Sequence, residues 1–292
     1  MKSIVNFYLI GLIAFLVGCS SVSERELSGF SEQEFYEMAQ DQLKNNRFIL
    51  AIETLQRLES DYPFGKYANS AQLALIYAHY RADEFPSAIA TANRYIRLHP
   101  NHPNVDYAYY MRGLSAFPRL SSAFQKIFHT DLSERDMKSA RTSFVYFSEL
   151  LQRFADSQYA DDAIKRMEYL RNLMARGEVQ VGNYYLDRGA FLAAANRGRH
   201  VVENYQLSPA VPDGLALMAQ AYHAMDMNDL AKNTINILKE NYPNYPAFNS
   251  DGQFNFDFYL QKSRSIAGML TFGLIDNSKP PGFDTRHIYS DY

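Results

Sequence analysis

Apolar and small residues recur along this chain with a period of 37 residues: Phe48, Ala51, Ile52 and Pro63 reappear as Phe85, Ala88, Ile89 and Pro100. Within each copy the apolar positions fall three and four residues apart, the spacing of one helix face. An aromatic, a small residue three on, and a proline twelve after that describe the second helix of a helical hairpin. The small residue lets two helices approach closely. The proline ends the helix, because it has no N–H and its ring clashes with the preceding turn.

The same pattern organises the rest of the chain. Phe30-Ser31-Glu32-Gln33-Glu34-Phe35 predicts a helix start, with Ser31 capping, Glu34 completing a capping box and Phe30 stapled onto Phe35. The first hairpin runs to Pro63, carried by Phe35, Ala39, Ala51, Leu55 and Leu58, and the second from about Asn69 to Pro100. A third opens at Tyr107, with Gly113 at the close-packing position of Ala39. Its second helix comes late, since Phe147, Leu150, Phe154 and Tyr159 match Leu55, Leu58, Tyr62 and Tyr67 at an offset of 92. About 18 residues, Phe117 to Glu134, are therefore inserted, and a loop on one rim is expected there. An unbroken helix follows from about Asp161 to Arg188. Phe191, Ala194 and Tyr205 then mark a fourth hairpin, and Ala219, Ala231, Ile235, Leu238, Tyr242 and Pro243 a fifth. At Ala155 the proline of the other turns is missing, which predicts a looser turn.

This is an all-α solenoid of five tetratricopeptide-type hairpins, with an insertion in repeat three, a long connecting helix and an irregular C-terminal tail. In the tail, Phe254-x-Phe256-x-Phe258 alternates with period two, as an extended segment laid on a surface would. Ile266, Met269, Leu270 and Leu274 suit a short amphipathic helix. The tail either packs back on the fifth hairpin or docks a partner.

The N-terminus follows another rule. Lys2 precedes an apolar run, Ile4 to Val17, too short to span a bilayer but suited to a signal peptide. It ends Leu16-Val17-Gly18-Cys19, and Cys19 is the only cysteine, so no internal disulfide can form. The stretch resembles a bacterial lipoprotein signal. That resemblance implies cleavage before Cys19 and lipid on its thiol and amine, a diacylglycerol thioether and an N-terminal acyl chain. Ser20, in place of an Asp, implies sorting to the outer membrane. The expected divisions are 1–18 signal, 19–29 tether, 30–160 repeats one to three, 161–243 the long helix with repeats four and five, and 244–292 tail.

Composition and motifs exclude more than they assign. The net charge is −3, which gives no basic field for nucleic acid. No P-loop, GxGxxG, HExxH or GxSxG occurs, so no enzyme and no cofactor is expected. His99 and His102 sit in an inter-repeat turn, where they read as turn residues rather than metal ligands. Asp161 and Asp162 suit a helix N-terminus, and His200 with Glu203 reads as a surface pair. The chain holds 22 Tyr and 20 Phe but no Trp. First helices of such hairpins line the inner surface. Tyr36, Leu73, Tyr77, Tyr80, Tyr107 and Tyr110 would there form a groove for an apolar, aromatic-bearing peptide, though any one of them could instead pack helix on helix.

The lipobox at Leu16–Cys19, the Phe30–Glu34 opening, the five hairpins and the long helix together resemble the BamD family, the repeat lipoproteins of the outer-membrane β-barrel assembly machine. The resemblance covers roughly residues 1 to 243. It implies a non-catalytic scaffold facing the periplasm whose N-terminal repeats receive the C-terminal segments of unfolded barrel proteins. It also implies contacts with a POTRA domain of the central barrel subunit BamA and with other small lipoproteins. Arg197 matches an arginine that lies at the POTRA contact in that family. Two other functions compete: a pilotin-like lipoprotein for pilus secretin assembly, against which the insertion and long helix speak, and a lipid-anchored cell-wall enzyme or activator, for which no motif is present.

Overall fold

The structure, a computed structural model, describes residues 29–117 and 137–256. The signal peptide, Cys19, most of the tether, all but the first residue of the insertion, and the tail beyond Phe256 lie outside the described residues. Ten α-helices are described: α1 Glu32–Lys44, α2 Phe48–Asp61, α3 Ala68–Arg81, α4 Phe85–Leu98, α5 Val105–Ala116, α6 Lys138–Arg153, α7 Ala160–Asp187, α8 Phe191–Asn204, α9 Val211–Ala224 and α10 Asn228–Asn241. The described residues fall into two compact units, one ending at Ala78 and the other starting at His79. In the first, α1 packs on α2. In the second, α4 to α10 pack each on the next. The all-α architecture is as the periodicity predicts.

Helix α1 starts as expected. Ser31 Oγ accepts from Glu34 N, and Ser31 N donates to Glu34 Oε2 at 2.7 Å, closing the capping box. Phe30 and Phe35 rings meet at 5.7 Å, the staple. The backbone N–H of Ser31 holds the Glu34 carboxyl below its ordinary pKa.

The repeat is written into the core. Ala51, Ala88, Ser143, Ala194 and Ala231 share one position and are all buried. Leu58, Tyr95, Leu150, Val201 and Leu238 share another, and each is completely buried. Where Ser143 replaces alanine, its hydroxyl donates to the Gly113 carbonyl at 2.9 Å, so no polar group is stranded. Gly113 lies against Phe147, whose ring would be 2.5 Å from an added Cβ, confirming the close-packing position.

Two turns recur. Within a hairpin, Asn46, Asp83, Gly189 and Asp226 all take positive φ, at 58°, 60°, 72° and 58°. After each, the next N–H reaches back five residues, as in Arg47 to Gln42 at 2.8 Å and Met227 to Tyr222 at 2.9 Å, closing the helix end. Between hairpins, an aromatic ends each second helix: Tyr62, His99, Phe154, Tyr205 and Tyr242. The N–H three residues later donates to its carbonyl, and the N–H three further on repeats the move.

The turn at Ala155 departs from expectation. Ser157 N donates to Phe154 O at 3.1 Å and Ala160 N to Ser157 O at 2.9 Å, matching the proline turns at Tyr62 and His99. Phe154 adopts φ −138°, ψ 61°, beside −132°, 59° at Tyr62. The turn is therefore no looser. Proline ends a helix, but the backbone hydrogen bonds and the half-buried aromatic end shape this turn, and they need no proline. Gln206 makes the same point after Tyr205.

The long helix spans 28 residues, one residue from the expected bounds at each end. It packs on α6, α8 and α9, so one helix joins the third hairpin to the fourth. Among the described residues no helix is long and apolar enough to cross a membrane.

After α10 the inter-hairpin turn forms once more, through Tyr245 N to Tyr242 O and Phe248 N to Tyr245 O, both 3.0 Å, but among the described residues no helix follows it. Asn249 Oδ1 accepts the N–H groups of Asp251 and Gln253, Gly252 takes positive φ, and Phe248 bridges antiparallel to Phe254. Tyr245 is buried and its hydroxyl donates to Asp213 at 2.7 Å, while Phe256 stacks on His223 at 3.9 Å. Up to Phe256 the tail thus packs back and caps the last hairpin. Phe258 and the expected helix around Ile266 to Leu274 lie outside the described residues.

Candidate partner-binding surfaces

The tyrosines of the expected groove are half-buried, and most are tied to neighbours. In the first unit the Tyr36 ring stacks on Tyr67 at 4.8 Å. Leu73, Tyr77 and Tyr80 follow one another at i, i+4 and i+7 along α3, which gives them one face. In the second unit Tyr80 meets the edge of Phe85 at 6.1 Å.

Tyr107 and Tyr110 both lie on Tyr159, at 5.8 and 4.6 Å. The Tyr110 hydroxyl donates to Asp162 Oδ2 at 2.8 Å, and Arg166 Nε donates to the same oxygen at 2.5 Å. Burial and the Asp162 carboxylate push the Tyr110 phenol well above its ordinary pKa. This tyrosine stays a neutral donor, and its ring closes α5 onto the start of α7. Tyr110→Phe is expected to keep the stack and lose the hydrogen bond, at a cost of about 1 kcal/mol in denaturant unfolding. An unchanged midpoint would show the hydroxyl to be idle.

The other polar candidates are structural. His99 and His102 pack on Tyr95 at 4.8 and 5.8 Å inside their turn, and burial and then His102 lower the pKa of His99. No cluster of three or more metal-ligating side chains occurs among the described residues. Asp162 serves Tyr110 and Arg166, and His200 pairs with Asn204 at 3.0 Å.

Arg197 is held from below. Its Nη1 donates to Glu178 Oε2 at 2.6 Å, and Arg141 Nη2 donates to Oε1 of the same carboxylate at 2.9 Å. The Glu178 side chain is only 5% exposed, against 41% for Arg197 and 53% for Arg141. Burial alone would push the Glu178 pKa up, but the two guanidinium groups outweigh it and hold the carboxyl below its ordinary value. The Tyr185 ring lies 6.0 Å from the Arg197 guanidinium. One buried carboxylate thus ties α6, α7 and α8 together and fixes Arg197 with its outer edge in solvent. Reading the sequence for motifs missed Glu178 and Arg141. The available signal was an acid in the long helix with no basic residue three or four positions away to pair with it along the helix.

Compared with known proteins, residues 29–238 match the model of the YfiO family, described as outer membrane lipoprotein. The chain belongs to this family. A relative in Neisseria gonorrhoeae, named outer membrane protein assembly factor BamD, is 36% identical over 249 residues, covering 84% of this chain and 93% of that one. The protein of the same name in Neisseria meningitidis serogroup B is 40% identical over 217 residues, 74% of this chain and 81% of that. The one in Vibrio cholerae is 35% identical over 235 residues, 80% and 97%. Among solved structures, a tetratricopeptide repeat protein from Parabacteroides merdae aligns at TM-score 0.35 and 13% identity over 85% of this chain and 80% of that one. The family match includes Glu178 and Arg197 and stops at Leu238, so the cap formed by Tyr245–Phe256 lies beyond it.

Proposed function

We propose that this chain is a non-catalytic outer-membrane lipoprotein of the β-barrel assembly machine, anchored through Cys19 and facing the periplasm. It binds the central subunit BamA through a POTRA domain and other small lipoproteins of the complex, and it receives unfolded barrel proteins for insertion. The observation that carries this reading is the family match across residues 29–238, with relatives named as assembly factors over most of their length. The physical support is the half-exposed tyrosines on α1, α3 and α5 and a fixed, half-exposed arginine on α8. In this reading the α1, α3 and α5 tyrosines meet alternating apolar side chains of substrate segments, and Arg197 meets the POTRA domain.

The test is affinity purification of the full-length lipoprotein from gently solubilised outer membranes. Recovery of a POTRA-bearing barrel protein is expected, and Arg197→Ala should reduce that recovery several-fold at a stability cost of only about 1 kcal/mol, since Arg141 still neutralises Glu178. Recovery of a secretin in its place would move the function to pilus assembly. Cys19→Ser is expected to release the protein into the soluble periplasmic fraction, because the apolar run of the signal is too short to anchor it. A variant that still fractionates with the membrane would point to a second attachment.

A further inference from the structure

The turn between α2 and α3 is built onto the start of α1. Tyr62 Oη donates to the Phe30 carbonyl at 2.9 Å, and the N–H groups of Lys66 and Tyr67 donate to the Glu32 carboxylate. Gly65 lets the Glu32 carboxylate close onto these N–H groups, since an added Cβ would lie 2.2 Å from Glu32 Oε1 and displace it. The turn is therefore fixed to the point where the chain arrives from Cys19.

At its tip Phe64 is 99% exposed, the most exposed large apolar side chain among the described residues. The turn does not require it. Asn101, Asp156 and Asn244 hold the same position in turns with the same hydrogen bonds, and only Leu207 is also apolar. Lys66, two residues on, is exposed and lies 5.5 Å over the Tyr67 ring. An apolar tip flanked by tyrosines and a long cation is the side-chain set found at membrane interfaces.

We infer that Phe64 inserts into the phospholipid surface that holds the acyl anchor, so that this pole of the first unit rests on the membrane. The inference rests on the lipid-anchor reading of Cys19. Eleven residue steps separate Cys19 from Phe30, a reach of at most about 40 Å, so the turn stays within that distance of the bilayer. The acids nearby are already engaged: Glu32 by the turn, Glu34 by its capping box, and Asp61 by Arg57 at 2.7 Å. Lys66 and Arg57 do not outnumber them, so the surface addressed is zwitterionic and the contact apolar rather than a charge attraction.

The absence of tryptophan makes the test direct. Full-length lipoprotein carrying Phe64→Trp is reconstituted into phosphatidylcholine–phosphatidylethanolamine vesicles, with Asn101→Trp as the matched turn elsewhere. Flotation with the vesicles reads the anchor, and tryptophan emission reads the tip. A blue shift and at least twofold quenching by brominated acyl chains in Phe64→Trp, with neither in Asn101→Trp, is the expected result. Floated protein whose Phe64→Trp emission is neither shifted nor quenched overturns the inference and leaves the anchor standing. A shift that appears only when the POTRA-bearing partner is added overturns it too, making the tip a protein contact. Failure to float removes the anchor and the inference with it.

Discussion

Replacing Arg141 and Arg197 together by alanine is expected to destabilise the second unit by about 3–5 kcal/mol, well beyond the sum of the single replacements. Each guanidinium alone is half exposed and screened by water, so each single loss should cost only about 1 kcal/mol while the other still neutralises Glu178. Removing both leaves a carboxylate that is 5% exposed without a counter-charge. Adding Glu178→Gln to the double variant should recover much of the loss, since it deletes the stranded charge and keeps the shape. The pH dependence follows from the sign of the shift. In the parent the carboxyl is held below its ordinary value, so its stabilisation is complete above the ordinary carboxylate range and is lost as pH falls below about 4.3. In the double variant burial acts alone and raises the pKa, so the penalty relaxes as pH falls. Urea unfolding of the parent, the two single variants, the double variant and its Glu178→Gln derivative at pH 7 and pH 4.5 checks this, with the gap between parent and double variant narrowing at the lower pH. Additive losses at both pH values would mean that Glu178 finds solvent when its partners leave.

The same cluster shows what the amino-acid pattern conveys and what it hides. Helix positions, the buried alanine line from Ala51 to Ala231 and the long helix were legible because each is a local rule repeated at fixed spacing. The capping box was legible for the same reason: Ser31 and Glu34 are three residues apart. Arg141, Glu178 and Arg197 sit on three helices, and nothing in spacing says that one buried carboxylate will join them. The tyrosines fall between these cases. Spacing places Tyr110 on the first helix of its hairpin, but only the packing shows its hydroxyl committed to Asp162 and its ring to Tyr159. The left-handed positions Asn46, Asp83, Gly189 and Asp226 were present in the sequence at offsets matching the repeat, yet no single residue type marks them. Asn, Asp and Gly all tolerate positive φ, so the signal lies in that shared tolerance.

Gly198→Ala is expected to lower the melting temperature by about 5–10 °C, the equivalent of about 2–3 kcal/mol in a unit of this size. An added Cβ would lie 2.5 Å from the Gly214 carbonyl oxygen and 2.7 Å from Met218 Cγ. Gly214 mirrors it, facing the Gly198 carbonyl at 3.0 Å, so α8 and α9 touch backbone to backbone through two glycines. Neither oxygen can swing aside without moving its helix, and α9 is enclosed by α7, α8, α10 and the Tyr245–Phe256 cap. Gly182→Ala is the control. There the added Cβ meets Leu217 Cδ2, the end of a flexible side chain, and alanine's better helix propensity of about 1 kcal/mol offsets the repacking. Its melting temperature should stay within a few degrees of the parent, although its nominal clash, 2.1 Å, is the shorter of the two. What decides the outcome is which atom must yield, a methyl group or a peptide carbonyl. If Gly182→Ala proved the more damaging, α8 and α9 would have to be free to separate, and Arg197 on α8 would lose the fixed footing that Glu178 gives it.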